Sequence, residues 1–259
     1  MLLAIDIGNT NIVIGGIQDS QILFEARIAT DHIKTSDQYG VEIKNILSLF
    51  DVRPEEIQDC IISSVVPPVF NSVCTGLVKI IHKEPMVVGP GIKTGLNIQM
   101  DTPSQVGSDR IVIAVAALAE FEPPLILLDL GTATTIEVVG KGSTYLGGCI
   151  IPGVRVSLEA LTSRTAQLPG IRLDTPRRVV GKNTVDCMRS GIMHGTAAML
   201  DGMLDRVEEE LGYSTTVIAT GGMAQFIVPL CRREIQVDRD LLLKGLNVLY
   251  LKNMAERER

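Results

Sequence analysis

Tryptophan is absent from this 259-residue chain and aromatic residues make up only 3% of it, so any core it buries must be aliphatic, built from Ile, Val, Leu, Ala and Met. Positive charge is also short: 24 Lys and Arg stand against 30 Asp and Glu, a net charge of -6. That balance argues against general nucleic-acid binding, which relies on a basic footprint. No apolar run approaches the roughly 18–20 residues of a membrane helix, and Ile111 to Ala119 is far too short. The opening apolar run is broken by Asp6 and lacks a basic flank, so it does not read as a signal peptide. Cys60, Cys74, Cys149, Cys187 and Cys231 are scattered without a C-x-x-C, and His32, His82 and His194 are dispersed. This argues against a zinc site and for free thiols in a cytoplasmic protein. Neither a Walker A sequence nor a Rossmann G-x-G-x-x-G after the first strand is present, so a nucleotide site must be built in another way.

What is present is a repeat. Leu2 to Ile5 leads into Asp6-Ile7-Gly8-Asn9-Thr10, followed by Ile12-Val13-Ile14. Leu125 to Leu128 leads into Asp129-Leu130-Gly131-Thr132, followed by Ile136, Val138 and Val139. Each copy reads as strand, tight polar turn, strand, with an acid at the entrance and small hydrogen-bonding residues at the tip. Glycine lets backbone approach phosphate oxygens, Asn and Thr side chains donate hydrogen bonds, and a carboxylate holds a metal ion or its waters. Two matched copies in one chain predict duplicated lobes, an N-terminal one over 1–120 and a C-terminal one over 121–259. A composition of 46% hydrophobic and 21% charged residues gives both lobes enough apolar material for a core.

Periodicity fills in the elements. Gln21 to Ala29 reads as a third strand, and a helix is predicted over Ser36 to Phe50 with Val41, Ile46, Leu47 and Phe50 on one face. Cys60 to Val66 is a buried strand, and Pro67-Pro68 opens a helix running to Ile81. Gly89 to Gly107 shows no sustained periodicity, and long loops of this kind in compact domains are usually functional. A helix over Ser108 to Phe121 joins the halves. The longest helix is predicted over Thr184 to Leu211, with Val185, Met188, Ile192, Thr196, Met199, Met203, Val207 and Leu211 as its apolar stripe. Gly191, Gly195 and Gly202 within it each cost roughly 1 kcal/mol relative to alanine, which close approach of another helix would offset. Thr220-Gly221-Gly222 ends a strand with a turn where a flat ring can meet bare backbone. Gly107-Ser108-Asp109-Arg110 opens a helix, and helix N-termini favour anions. A kinase needs a carboxylate within hydrogen-bond reach of the attacking hydroxyl, and Asp109 is the candidate.

Together these segments resemble the motif series of the type III pantothenate kinase family: Asp6 to Thr10, Gly107 to Arg110, Asp129 to Thr134 and Thr220 to Gly222. Ser63 to Pro67, Gly89 to Gly95, Gly147-Gly148 with Pro152-Gly153, and Val180 to Thr184 resemble its linking pieces. The resemblance implies an α/β fold of the acetate and sugar kinase/Hsp70/actin type, with two ribonuclease-H-like (actin-like ATPase) lobes, each a mixed sheet flanked by helices. It implies ATP-dependent phosphorylation of pantothenate to 4'-phosphopantothenate, the first step of coenzyme A biosynthesis, by a cytoplasmic homodimer without nucleic-acid or membrane partners. The alternatives are another small-molecule kinase of the same fold and a non-catalytic nucleotide-binding relative. Carried over, Asp6, Ile7, Gly8, Asn9, Thr10, Asn11, Ile12 and Val13 contact ATP, with Asp6 serving Mg²⁺ through phosphate or water. Thr132 contacts ATP and Asp129 takes a monovalent cation, K⁺ or NH₄⁺. Asp109 is the proton acceptor, while Gly107, Ser108, Asp109, Arg110 and Thr184 contact pantothenate. The family usually has a tyrosine where this chain has Met100, which is expected to line the pantothenate pocket with altered affinity.

Overall fold

A computed structural model describes residues 1–257. The strands are β1 (Leu2–Ile7), β2 (Asn11–Gln18), β3 (Gln21–Ala29), β4 (Asp59–Ser64), β5 (Met86–Val87), β6 (Asn97–Ile98), β7 (Leu125–Leu130), β8 (Ala133–Gly140), β9 (Thr144–Pro152), β10 (Thr216–Thr220) and β11 (Gln236–Val237). The helices are α1 (Ser36–Leu49), α2 (Pro67–Ile81), α3 (Ser108–Glu120), α4 (Val154–Ser163), α5 (Thr184–Leu211), α6 (Ala224–Ile227) and α7 (Leu241–Arg257). Contacts divide them into two units: Met1–Leu96, Asp101–Ala119 and the chain from Asp240 on; and Asn97–Met100 with Glu120–Arg239. Two segments thus sit opposite to where a single cut at residue 120 would put them. The closing helix α7 lies against β1 and β4, and β6 pairs with β9.

In the first unit the sheet order is β3-β2-β1-β4-β5. β1, β2 and β3 are antiparallel neighbours, whereas β4 runs parallel to β1 and β5 parallel to β4. Every residue of β1 is buried, as expected of a strand covered on both faces. Leu3, Ile5 and Ile7 join one apolar cluster with Tyr39, Ile43 and Leu47 of α1 and Val69, Val73 and Leu77 of α2. Each such aliphatic side chain contributes about 1.5–3 kcal/mol by leaving water. Thr35 starts α1 through a capping box with Gln38, satisfying two amide groups that the first turn leaves without helical partners. Helices α1 and α2 cross tightly at Gly40 and Gly76, where a Cβ on Gly76 would come within 2.8 Å of the Gly40 nitrogen. The α1 face differs in part from expectation. Ile46 and Leu47 are buried, but Val41 is 58% exposed and Phe50 lies beyond the helix end, stacked on Phe24 with ring centroids 4.5 Å apart.

In the second unit the order is β11-β10-β7-β8-β9-β6. Without β6 this repeats the first sheet strand for strand and sense for sense: β7, β8 and β9 antiparallel, β10 parallel to β7, and β11 parallel to β10. The loop from Gly89 to Gly107 is therefore not wholly irregular, since β6 adds to the edge at β9 in parallel. Helix α5 has the predicted limits but not the predicted stripe. Met188, Met193, Ala197, Leu200 and Leu204 are buried, while Ile192, Met199, Met203, Val207 and Leu211 pack only partly against that core. The apolar arc is wide, and small Ala197 lets the helix sit deepest one position along from the strongest i, i+4 series. Among the described residues, and apart from the adjoining helix backbone and chain neighbours, no atom lies within 4 Å of a Cβ built on Gly191 or Gly195, so both face open space.

Candidate active site

Asp6 is the next-to-last residue of β1, and the parallel register sets Ser63 of β4 beside it. Asp6 is 6% exposed, Ser63 is fully buried, and the Ser63 hydroxyl donates to Asp6 Oδ1. A buried carboxylate persists when such donors replace water. The hairpin beyond it is closed by the Gly8 amide, which donates to the Asn11 carbonyl at 3.1 Å. Asn9 and Thr10 at its tip are exposed. The next residue after Ser63 reaches a second element: the Ser64 amide donates to Ser108 Oγ at 3.1 Å, and that hydroxyl donates to the Ser64 carbonyl at 3.0 Å. The start of α3 is thereby locked to the end of β4. Asp109 follows, half-buried, its Oδ1 accepting from the Arg110 amide at 2.8 Å. A Cβ on Gly107 would come within 2.5 Å of Asp109 Oδ1, so the missing side chain gives the carboxylate its place. Asp6, the first hairpin and Gly107 to Arg110 are thus joined through Ser63 and Ser64, at the carboxyl ends of parallel strands where α/β folds place ligands.

The second unit repeats half of this. Asp129 of β7 stands in register with Thr220 of β10, so an acid again faces a buried hydroxyl-bearing residue. The turn is shorter: three residues separate the paired Leu130 and Thr134, against four between Ile7 and Ile12. Gly221 has φ +91, and a Cβ there would overlap Asp129 Oδ1 and lie 2.7 Å from the Leu130 backbone. The Asp129 carboxylate accordingly rests against bare backbone. Gln99 donates its amide to the Tyr145 carbonyl at 2.9 Å, and the buried Tyr145 hydroxyl donates to buried Glu137. That anchors the segment carrying Met100, whose sulfur would lie 2.8 Å from a Cβ on Gly147. Thr184 is exposed at the first turn of α5, behind the Asn183 cap that accepts from the Asp186 amide at 2.9 Å. A cavity of about 560 Å³ near the start of α5 is lined by Arg177, Arg178, Lys182 and Arg189 and also by Asp174 and Asp186, with which Arg189 is paired.

Comparison with known proteins decides between fold and family. A sequence model described as type III pantothenate kinase matches residues 2–206. The chain belongs to the type III pantothenate kinase family. It is 44% identical over 253 residues to a type III pantothenate kinase of an Exiguobacterium species, covering 98% of this chain and 99% of that one. It is 40% identical over 259 residues to the type III pantothenate kinase of Listeria monocytogenes serotype 4a, with both chains covered in full. Among solved structures, a ROK hexokinase from Thermus thermophilus aligns with a TM-score of 0.52 at 14% identity, over 97% of this chain and 99% of that one. That likeness shows the fold alone: two mixed sheets flanked by helices, as in actin-like ATPases and ROK sugar kinases.

Membership in the family makes the chain an enzyme, a kinase. Among the described residues no group of three or more His, Cys, Asp or Glu could hold a metal ion. Sequence reasoning passed over Ser63 as the hydrogen-bond partner of Asp6 and Thr220 as the register neighbour of Asp129. Each hydroxyl residue is the last or next-to-last residue of the strand parallel to its acid, a relation set by register and not by local sequence.

Proposed function

We propose that this chain transfers the γ-phosphoryl group of ATP to the 4'-hydroxyl of pantothenate, giving 4'-phosphopantothenate for coenzyme A synthesis. The observation that carries the reading is the linked array Asp6–Ser63, Ser64–Ser108 and Asp109, in a chain whose relatives are named for this activity. Asp109 takes the proton of the attacking hydroxyl. Gly107, Ser108, Arg110 and Thr184 hold the substrate, and Arg177, Arg178 and Lys182 of the cavity near the start of α5 suit its carboxylate. The residues from Asp6 to Val13, with Thr132, hold ATP. Bound Mg²⁺ would neutralise phosphate charge beside Asp6, and a monovalent cation, K⁺ or NH₄⁺, would be held at Asp129. Fixed donors and charges of this kind supply most of the catalysis in phosphoryl transfer.

We also infer a cytoplasmic homodimer. The exposed face of α5 at Gly191 and Gly195, where a Cβ would meet open space among the described residues, supports close packing of a second copy there. Among the described residues no helix is long and apolar enough to cross a membrane. The test is ADP release with ATP and pantothenate, set against a panel of sugars and polyols, for the wild type and Asp109→Asn. Turnover confined to pantothenate and lost in Asp109→Asn, with both substrates still bound, is the expected result. Near-normal turnover in that variant would remove Asp109 as the base.

A further inference from the structure

The residue that follows β3 holds the first hairpin from behind. The Thr30 amide donates to the Thr10 carbonyl at 3.0 Å, and the Thr30 hydroxyl donates to the Gly8 carbonyl at 2.6 Å. These two bonds bracket Asn9. In a trans peptide the carbonyl and the following N–H point opposite ways. Drawing the Gly8 carbonyl toward Thr30 therefore turns the Asn9 N–H away from it, at a residue that is exposed. A backbone N–H fixed outward among small polar residues is a component of anion-binding concavities.

The second unit has the equivalent residue in the equivalent place. Gly153 follows β9 as Thr30 follows β3, and its amide donates to the Thr132 carbonyl at 3.1 Å. Here a side chain has no room: a Cβ would overlap the Thr132 carbonyl and stand 2.5 Å from the Gly131 oxygen. The difference follows loop length. The longer first loop leaves a gap that the threonine side chain fills and bonds across, and the shorter second loop closes directly on glycine.

We propose that Thr30 and Gly153 are matched positioning residues behind the two hairpins, with the Thr30 hydroxyl orienting the Gly8–Asn9 peptide so that the Asn9 amide meets a nucleotide phosphate oxygen. The inference rests on the reading of the first hairpin as the ATP-phosphate site. Thr30→Val keeps the branched shape and removes the hydroxyl; Thr30→Ser keeps the hydroxyl. The KM for each substrate, the Kd for a non-hydrolysable ATP analogue by calorimetry, and the thermal midpoint are measured for both variants and the wild type. Thr30→Val is expected to raise the ATP KM and the analogue Kd roughly five- to tenfold, the weight of one lost hydrogen bond. The pantothenate KM should stay within about twofold, and Thr30→Ser should restore ATP affinity; Thr30→Ala replaces Thr30→Val if the latter does not fold. Unchanged analogue Kd, equal loss for both substrates, or failure of serine to rescue would overturn the proposal. A wild type that binds the analogue but never turns over pantothenate would refute the substrate assignment, and the analogue Kd would still decide the role of Thr30.

Discussion

Replacing Gly221 with alanine makes two demands of the second unit. The backbone there has φ +91, a region in which an L side chain is strained, and the new Cβ would overlap Asp129 Oδ1 and lie 2.7 Å from the Leu130 backbone. The strain alone costs about 1–2 kcal/mol. Forcing an extra methyl group against backbone adds about 1–3 kcal/mol, because packed strands do not yield freely. The sum, about 2–5 kcal/mol, corresponds to a fall of roughly 5–15 °C in the thermal midpoint for a chain of this size. The neighbour that can move most cheaply is the Asp129 carboxylate, so with the monovalent cation held there as proposed, the K⁺ concentration for half-maximal rate should rise as well. Urea denaturation gives the stability loss, and Gly170→Ala supplies the control, since a Cβ at Gly170 meets nothing within 4 Å. If both variants stay within about 0.5 kcal/mol of wild type, as surface changes do, the close packing of Gly221 on Asp129 is refuted.

Three shorter predictions accompany it. Met100→Tyr restores a hydroxyl beside Gly147 and should lower the pantothenate KM by about two- to tenfold, the weight of one hydrogen bond, without changing the ATP KM; identical constants would put Met100 outside the pocket. Burial pushes the Cys60 and Cys231 thiols up to about 12 and that of Cys74 to about 11, so all three should stay silent to a thiol reagent in the native protein at pH 8. Cys187 is exposed on α5, one turn before Gly191, so its labelling rate should rise on dilution as the proposed dimer dissociates. Rapid native labelling of Cys60 would contradict its burial.

Much of the fold could be read from the chain because its signals are local. The hairpin at Asp6 and its copy at Asp129, the strand Gln21–Ala29 and the helix Thr184–Leu211 all carry their own turn, cap or period. What escaped depends on residues far apart in sequence. The edge strand β6 is two residues long and exists only because β9 offers a free edge. The return of α7 to β1 and β4 is equally invisible to periodicity. The same distinction runs through the site. Asp6, Asp109 and Asp129 stand in motifs, but Ser63 and Thr30 act through register and reach their partners across 57 and 22 residues. Exposure of Val41 and the displaced stripe on α5 have a related cause, since periodicity gives an arc of the helix and only tertiary packing selects its centre.

The most direct test of the central claim is a coupled ADP-release assay on the wild-type protein, run with and without pantothenate in K⁺ and then Na⁺ buffer, with the product identified by mass. The account predicts ADP release that depends on pantothenate, yields 4'-phosphopantothenate in equal amount and is faster in K⁺. ADP release indifferent to pantothenate, or none at all from a folded protein that binds ATP, would contradict it.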